Sequence, residues 1–137
     1  MAQPNRAQLA QAHATGRLPI AGAHTVGAPD GGPGLPVTDW STRHGDLRIA
    51  HFLGMHGLQV LPLLAWWLDR RGIAAQRRLI FAAAASYLAL FALVLWQALR
   101  GQSIVQPDLQ TLETFAAWLG LTIATVAVLI TRKEKIA

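Results

Sequence analysis

Hydrophobic and polar positions divide the chain at about residue 49. Upstream, apolar residues are scattered among Gly, Pro and polar residues with no helical or strand period. Downstream they gather into three blocks: IAHFLGMHGLQVLPLLAWWL over 49–68, LIFAAAASYLALFALVLWQAL over 79–99, and LETFAAWLGLTIATVAVLI over about 112–130. Roughly 20 apolar residues make a helix long enough to cross the hydrocarbon core of a bilayer. A helix of a soluble bundle keeps a polar stripe at a period of 3.6 residues, and the second block offers only Ser86, Tyr87 and Gln97 for one. The pattern therefore predicts an all-α integral membrane protein, with three transmembrane helices behind an irregular, Gly/Pro-rich segment spanning 1–48.

Within that segment, RAQLAQAHAT (6–15) reads as a short helix whose only large apolar residue is Leu9. PDGGPG supplies residues that accept positive φ or fix φ near −65°. Ile20, Val26, Leu35, Val37 and Trp40 are the apolar anchors expected to hold residues 18–48 as an ordered loop over one mouth of the bundle.

Charge adds orientation. Only 14% of the 137 residues are charged, against about 25% in a typical soluble domain, and the charges flank the apolar blocks. Arg70, Arg71, Arg77 and Arg78 lie between blocks one and two; Arg100 alone lies between blocks two and three; Arg132, Lys133 and Lys135 follow block three. The positive-inside rule puts the first loop and the C-terminus in the cytoplasm, and the N-terminal segment outside a bacterial inner membrane. Trp66, Trp67 and Trp96 then fall at the two interfaces, as an aromatic belt requires. An outward N-terminus must carry Arg6, Arg17, Arg43 and Arg48 across the bilayer with no apolar signal sequence ahead of them, so a preceding membrane helix or a partner subunit is expected to assist.

Small residues mark expected helix contacts. Ala82, Ser86 and Ala89 lie near one stripe of the second span; Ala116, Gly120, Ala124 and Ala127 or Val128 form another on the third. Such stripes let helix backbones approach in lipid, and both are expected to face inward in a tight three-helix bundle. Gly54 and Gly57 permit the same approach on the first span, which Pro62 is expected to kink.

The run GAHTVGAPDGGPGLPVTDWSTRHGDLRIAHFLGMHGLQVLPLLAW carries HTVG, GGPGLP, GDLR and HFxGxHxLQxLP elements. In these it resembles the C-terminal half of a family of uncharacterised bacterial multi-spanning membrane proteins. The resemblance covers residues 18–68, and beyond them only hydropathy. It implies a shorter version, or a separate half, of a longer membrane protein, and it implies no chemistry.

The candidate functional residues lie in the first span. With the N-terminus outside, His51 sits at the outer boundary and His56 about 10 Å deep. The two differ by roughly 140° around a straight helix, so they cannot converge on one small ligand. His56 shares a face with Gln59, and His51 with Met55. Other polar groups fall at the same level. Gln97 and Arg100 end the second span there, Asp108 and Glu113 open the third, and Asp46, Arg48, His24 and His44 come from the loop. If the groups are structural, Asp46, Arg48 and Glu113 are expected to anchor that loop. Ionisable groups at membrane depth are functional candidates by default. His56, Gln59, His51 and Glu113 are accordingly read either as interhelical packing groups or as a pocket for haem, a metal or a quinone, with Met55, His24 or His44 as further ligands. The metal and its ligand set are open, because no metal-binding spacing is present.

Catalysis has little support. Ser41 lacks a nucleophile-elbow context and reads as part of a turn or a helix cap before GDLR. GAPDGGPG lacks the ending of a phosphate loop. No basic, aromatic-bearing face suggests nucleic acid. Without cysteine there is neither disulfide nor thiolate site. The expected function is a small, non-catalytic accessory or interaction subunit of a larger membrane assembly. Its expected partners are the lipid bilayer and other membrane subunits, or copies of itself. The alternative is a ligand-binding membrane protein with its site at the outer mouth near His56.

Overall fold

A computed structural model describes residues 6–16, 23–73 and 75–131. It contains four α-helices and one two-stranded ribbon among the described residues: α1 (Arg6–Thr15), β1 (Thr25–Val26), β2 (Gly45–Asp46), α2 (Leu47–Arg70), α3 (Gln76–Leu99) and α4 (Leu109–Thr131). The last three helices are each long and apolar enough to cross a membrane. They overrun the apolar blocks by one to three residues at every end except the C-terminus of α3, which stops with its block at Leu99, because helix boundaries follow backbone hydrogen bonds and caps rather than hydropathy.

The caps are readable residue by residue. Asp46 caps α2, its carboxylate accepting the Arg48 backbone N–H at 3.0 Å. Asp108 caps α4, accepting the Thr111 N–H at 2.8 Å. α2 ends on Gly72 at φ +61, where the Gly72 N–H returns to the Asp69 carbonyl and the Ile73 N–H to that of Leu68. α3 ends the same way on Gly101 at φ +76, with N–H groups of Gly101 and Gln102 returning to Ala98 and Gln97. This paired return is the Schellman stop, and the left-handed conformation it needs is cheapest for glycine. α2 continues through Pro62, whose missing N–H leaves the Leu58 carbonyl without its usual helical donor.

α3 is the central helix. It packs along both α2 and α4, which touch each other far less. Against α2 the fit relies on glycine: a methyl group at Gly54 would lie 3.2 Å from the Phe91 ring, and one at Gly57 would lie 3.0 Å from the Tyr87 ring. Tyr87 Oη donates to the Leu53 carbonyl at 2.7 Å. Against α4 the contact is polar at its centre. Trp118 Nε1 donates to the Ser86 carbonyl at 3.0 Å, and the Ser86 and Thr122 hydroxyls are 2.8 Å apart.

The small-residue stripe of α4 corrects the sequence expectation. Ala116, Gly120, Ala124 and Ala127 are exposed, and a methyl group at Gly120 would meet nothing within 4 Å. The face turned to α3 carries Phe115, Trp118, Thr122, Thr125 and Val126 instead. Trp118 and Thr122 explain the choice. Turned outward, the indole N–H would face an apolar medium without an acceptor, whereas the Ser86 carbonyl supplies one. The Thr122 hydroxyl, which donates to the Trp118 carbonyl of its own helix at 2.8 Å, adds a second tie by accepting from Ser86.

One end of the helices is covered. The antiparallel ribbon pairs Thr25 with Asp46 and Val26 with Gly45, and β2 lies on the last turn of α3. Ile49, Ala50 and Val94 form a buried cluster there, flanked by Trp40, Leu53, Phe91, Ile104 and Phe115. Trp40, Leu35 and Val26 are thus partly buried as expected, while Ile20 lies outside the described residues. Val37 is not an anchor. It is fully exposed at φ +74, the centre of a three-residue turn in which the Thr38 N–H reaches the Pro36 carbonyl at 2.9 Å.

Candidate functional site

Two polar constellations stand out, one under the covering loop and one along α2.

The first is a closed hydrogen-bond hub at the covered end. Asp46 is its centre, with a side chain wholly removed from solvent. It accepts from the Ser41 N–H at 2.9 Å and from the Arg48 guanidinium at 2.7 Å, besides capping α2. The same guanidinium donates to the Asp39 carbonyl. His24 Nδ1 sits between two carboxylates, 3.4 Å from Asp30 and 3.6 Å from Asp46. Asp30 in turn accepts the Thr25 N–H at 2.8 Å. Burial works to raise the Asp46 pKa, but the Arg48 side chain and the N–H groups of Ser41 and Arg48 outweigh it and hold the carboxyl below its ordinary value. Asp30 follows the same pattern: burial opposes, and hydrogen bonds from Thr25 and His24 win.

A second layer ties the loop to α3 and α4. Ser103 Oγ donates to the Ser41 carbonyl at 2.9 Å, and buried Gln97 donates to the Ser103 carbonyl at 3.0 Å. Thr111, fully buried, donates to Gln102 at 2.7 Å. Arg100 pairs with Asp108 at 2.6 Å while its guanidinium lies 4.5 Å from the Trp96 ring centre. Hydrogen bonds from Thr111, with further ones from Arg100 and Gln102, keep the Asp108 carboxyl well below its usual range.

Every buried side-chain nitrogen and oxygen among the described residues has a partner. The small void beside Asp46 and Gln97 is about 10 Å³, no more than one water occupies. This hub positions the loop; its groups are spent on one another. Ser41 is the turn residue that the sequence suggests, its Oγ accepting the His44 N–H at 3.0 Å.

The second constellation is the outer face of α2. His51 and Gln59 are exposed, as are Phe52, Met55, Leu58, Leu63 and Trp66. His56 is half-buried against its own helix: its ring stacks on Phe52 at 3.9 Å between centroids, and Nδ1 lies 2.8 Å from the Phe52 carbonyl. A carbonyl only accepts, so Nδ1 carries the proton, and Nε2 of the neutral ring is left as an acceptor. Gln59 is the thirteenth residue of a 24-residue helix, which places it at mid-length, about 18 Å from either end. His56 and Gln59 share this face, as their spacing implies. Glu113 is exposed on α4 and belongs to neither constellation.

Among the described residues, no three His, Asp or Glu side chains are placed to hold a metal ion together. An open cleft of about 500 Å³ runs between α3 and α4, lined by Ala82, Ala85, Ala89, Leu121 and the Ser86–Trp118–Thr122 group.

Sequence reasoning found the α2 residues and gathered His24, Asp46, Arg48, Gln97, Arg100 and Asp108 at one mouth, but it missed Asp30, Ser103 and Thr111. Gln97, Ser103 and Thr111 carry no motif. The available signal was one of exception, a glutamine at the end of an otherwise apolar span, followed by a Gly-Gln-Ser turn. The chain has been compared with family models, curated proteins and solved structures, and none of them matches it.

Proposed function

We propose that this chain is a non-catalytic interaction subunit of a larger membrane assembly. The observation that carries this reading is the outer face of α2, where Gln59 and the acceptor nitrogen of His56 lie at membrane depth with no partner from α3 or α4. An amide facing hydrocarbon without a hydrogen bond costs roughly 4–8 kcal/mol on a cyclohexane scale. Polar residues in membrane helices accordingly face other protein or water-filled cavities. A partner helix laid along α2 removes that cost. The closed hub supports the same reading, since among the described residues its buried side-chain donors and acceptors are paired with one another.

The proposed setting is a bacterial inner membrane with the covered end outside and the Arg70–Arg78 loop in the cytoplasm. It is supported by four arginines in that loop against Arg100 alone in the other. Membership of the multi-spanning family that residues 18–68 resemble is part of the proposal. A cysteine placed at Ala75 tests the orientation: it is labelled only after the membrane is opened, and labelling from outside intact cells refutes it. A native mass spectrum from the protein's own membrane in mild detergent tests the function. Additional chains held with this one support it, and a lone chain overturns it.

A second reading rests on the His56 ring. With Nδ1–H committed to a backbone carbonyl, Nε2 has the orientation and tautomer of a metal or haem ligand. Added mass of such a group on the single chain, lost in His56→Gln, would favour it over the first.

A further inference from the structure

The interaction-subunit reading leaves the partner open, and α2 narrows it. The helix carries two heptad seams. Ala50, Gly54, Gly57, Leu61, Leu64 and Leu68 recur at steps of four and three and form the more buried side, where Gly54 and Gly57 meet Phe91 and Tyr87 of α3. Phe52, His56, Gln59, Leu63, Trp66 and Arg70 recur at the same steps. They are offset by two residues, or about 200° around the helix. The first seam is occupied by α3. The second faces outward, with Leu63 and Trp66 each more than half exposed. Its first residue, half-exposed Phe52, touches the Trp40 ring of the covering loop, at 5.5 Å between centroids. A 4-3 repeat of this kind is the pattern that packs knobs into holes against a second helix.

Resting on that reading, we infer that the occupant of the second seam is a second copy of this chain, with the two α2 helices parallel and Gln59 at the two-fold axis. A residue on such an axis meets its own copy, so its hydrogen bonds must be self-complementary. The Gln59 amide carries donor and acceptor together and satisfies that condition. His56 does not: with Nδ1–H given to Phe52, two facing rings present acceptor to acceptor. The donor that His56 lacks is an amide N–H less than one turn away, on Gln59 of the partner subunit. One residue pair therefore answers both unmet groups at a single depth. An unrelated helix would need its own amide in register with both. Two copies of one chain share an orientation in the membrane, so parallel α2 helices keep every layer level. Arg70 ends the seam at the interface, turned onto Trp66 with its guanidinium 4.6 Å from the ring centre.

The test uses the full chain in its own membrane. A photoreactive benzophenone side chain replacing Leu63 is activated by light, and the adduct is sized and sequenced. The expected product has twice the mass of the chain and contains only its peptides, and it is absent when the probe replaces Leu61 on the seam held by α3. An adduct with a different protein overturns the second-copy assignment and leaves the interaction reading standing. Adducts with lipid alone overturn both. Within the dimer, Gln59→Leu is expected to weaken self-association by roughly 3- to 20-fold, the range that interhelical polar contacts carry in membranes, while the exchange protection of the α2–α3 pair stays unchanged. Undiminished dimer in Gln59→Leu overturns the role of the amide.

Discussion

Gly45 lies so close to Ala98 that a methyl group on Gly45 would sit 1.9 Å from the Ala98 carbonyl oxygen. The ribbon rests on the end of α3 through bare backbone. Gly45→Ala is therefore expected to lift β2 from the helix, at a cost of roughly 1–3 kcal/mol for overpacking a site that cannot yield easily. Hydrogen exchange of the Thr25, Val26 and Asp46 amides in detergent checks this. Protection should fall there and persist at mid-α3.

Acid should loosen the same region. The carboxyls of Asp46 and Asp30 are held below their ordinary value in the folded protein. Their contribution is thus fully present above the unfolded value of about 3.9, and it is lost as pH falls through the depressed folded values. The amides of Ser41, Arg48 and Thr25, which donate to these carboxylates, should lose protection below about pH 4. Asp46→Asn should abolish the acid response of Ser41 and Arg48, and at neutral pH should cost on the order of 1–3 kcal/mol.

The two glycine environments separate cleanly. Gly57→Ala presses on Tyr87 and should destabilise the α2–α3 pair by roughly 1–3 kcal/mol. Gly120→Ala meets nothing and should be neutral, or stabilising by up to about 1 kcal/mol through helix propensity. Thermal unfolding of both variants in one detergent decides the matter. Equal destabilisation would mean that the exposed stripe of α4 is covered after all.

Trp118→Phe removes the indole N–H that reaches Ser86 and leaves most of the ring area in place. The expected loss is about 0.5–1.5 kcal/mol, confined to the α3–α4 contact. Exchange at the Tyr87–Leu53 contact should not change, and a loss there would mean that the three helices move as one unit.

The three membrane-length helices were legible because hydropathy over 20 residues is a strong, local signal. Their caps were partly legible, since Asp46 stands directly before its helix. The choice of faces was not. Gly54 and Gly57 suggested a close approach, and Tyr87 and Phe91 take it. Gly120 suggested the same by the same spacing and is left exposed, because a single indole on the next face found its acceptor on α3. Spacing records which residues share a face, whereas the winning face depends on what the neighbouring helix offers. The hub was legible as a gathering of His24, Asp46, Arg48 and Gln97 at one mouth, but its connections were not. His24, Asp30 and Asp46 become neighbours only when β1 pairs with β2. At the candidate site, the shared face of His56 and Gln59 was legible from their i, i+3 spacing. The fold of the His56 ring onto Phe52, and the tautomer this fixes, became visible only with the side chains in place.

The bond from Ser103 to the Ser41 carbonyl joins positions 62 residues apart. Ser41 leaves the ribosome long before the hydroxyl that secures it exists. At about 5–20 residues per second, the covering loop waits roughly 3 to 12 seconds for its anchor. Throughout that interval the Ser41 carbonyl is without the Ser103 donor, whereas the donors to Asp46, from Ser41 and Arg48, are already in the chain. The covering loop can be locked no earlier than the moment at which α3 and the turn after it are in place, while α4 is still to follow.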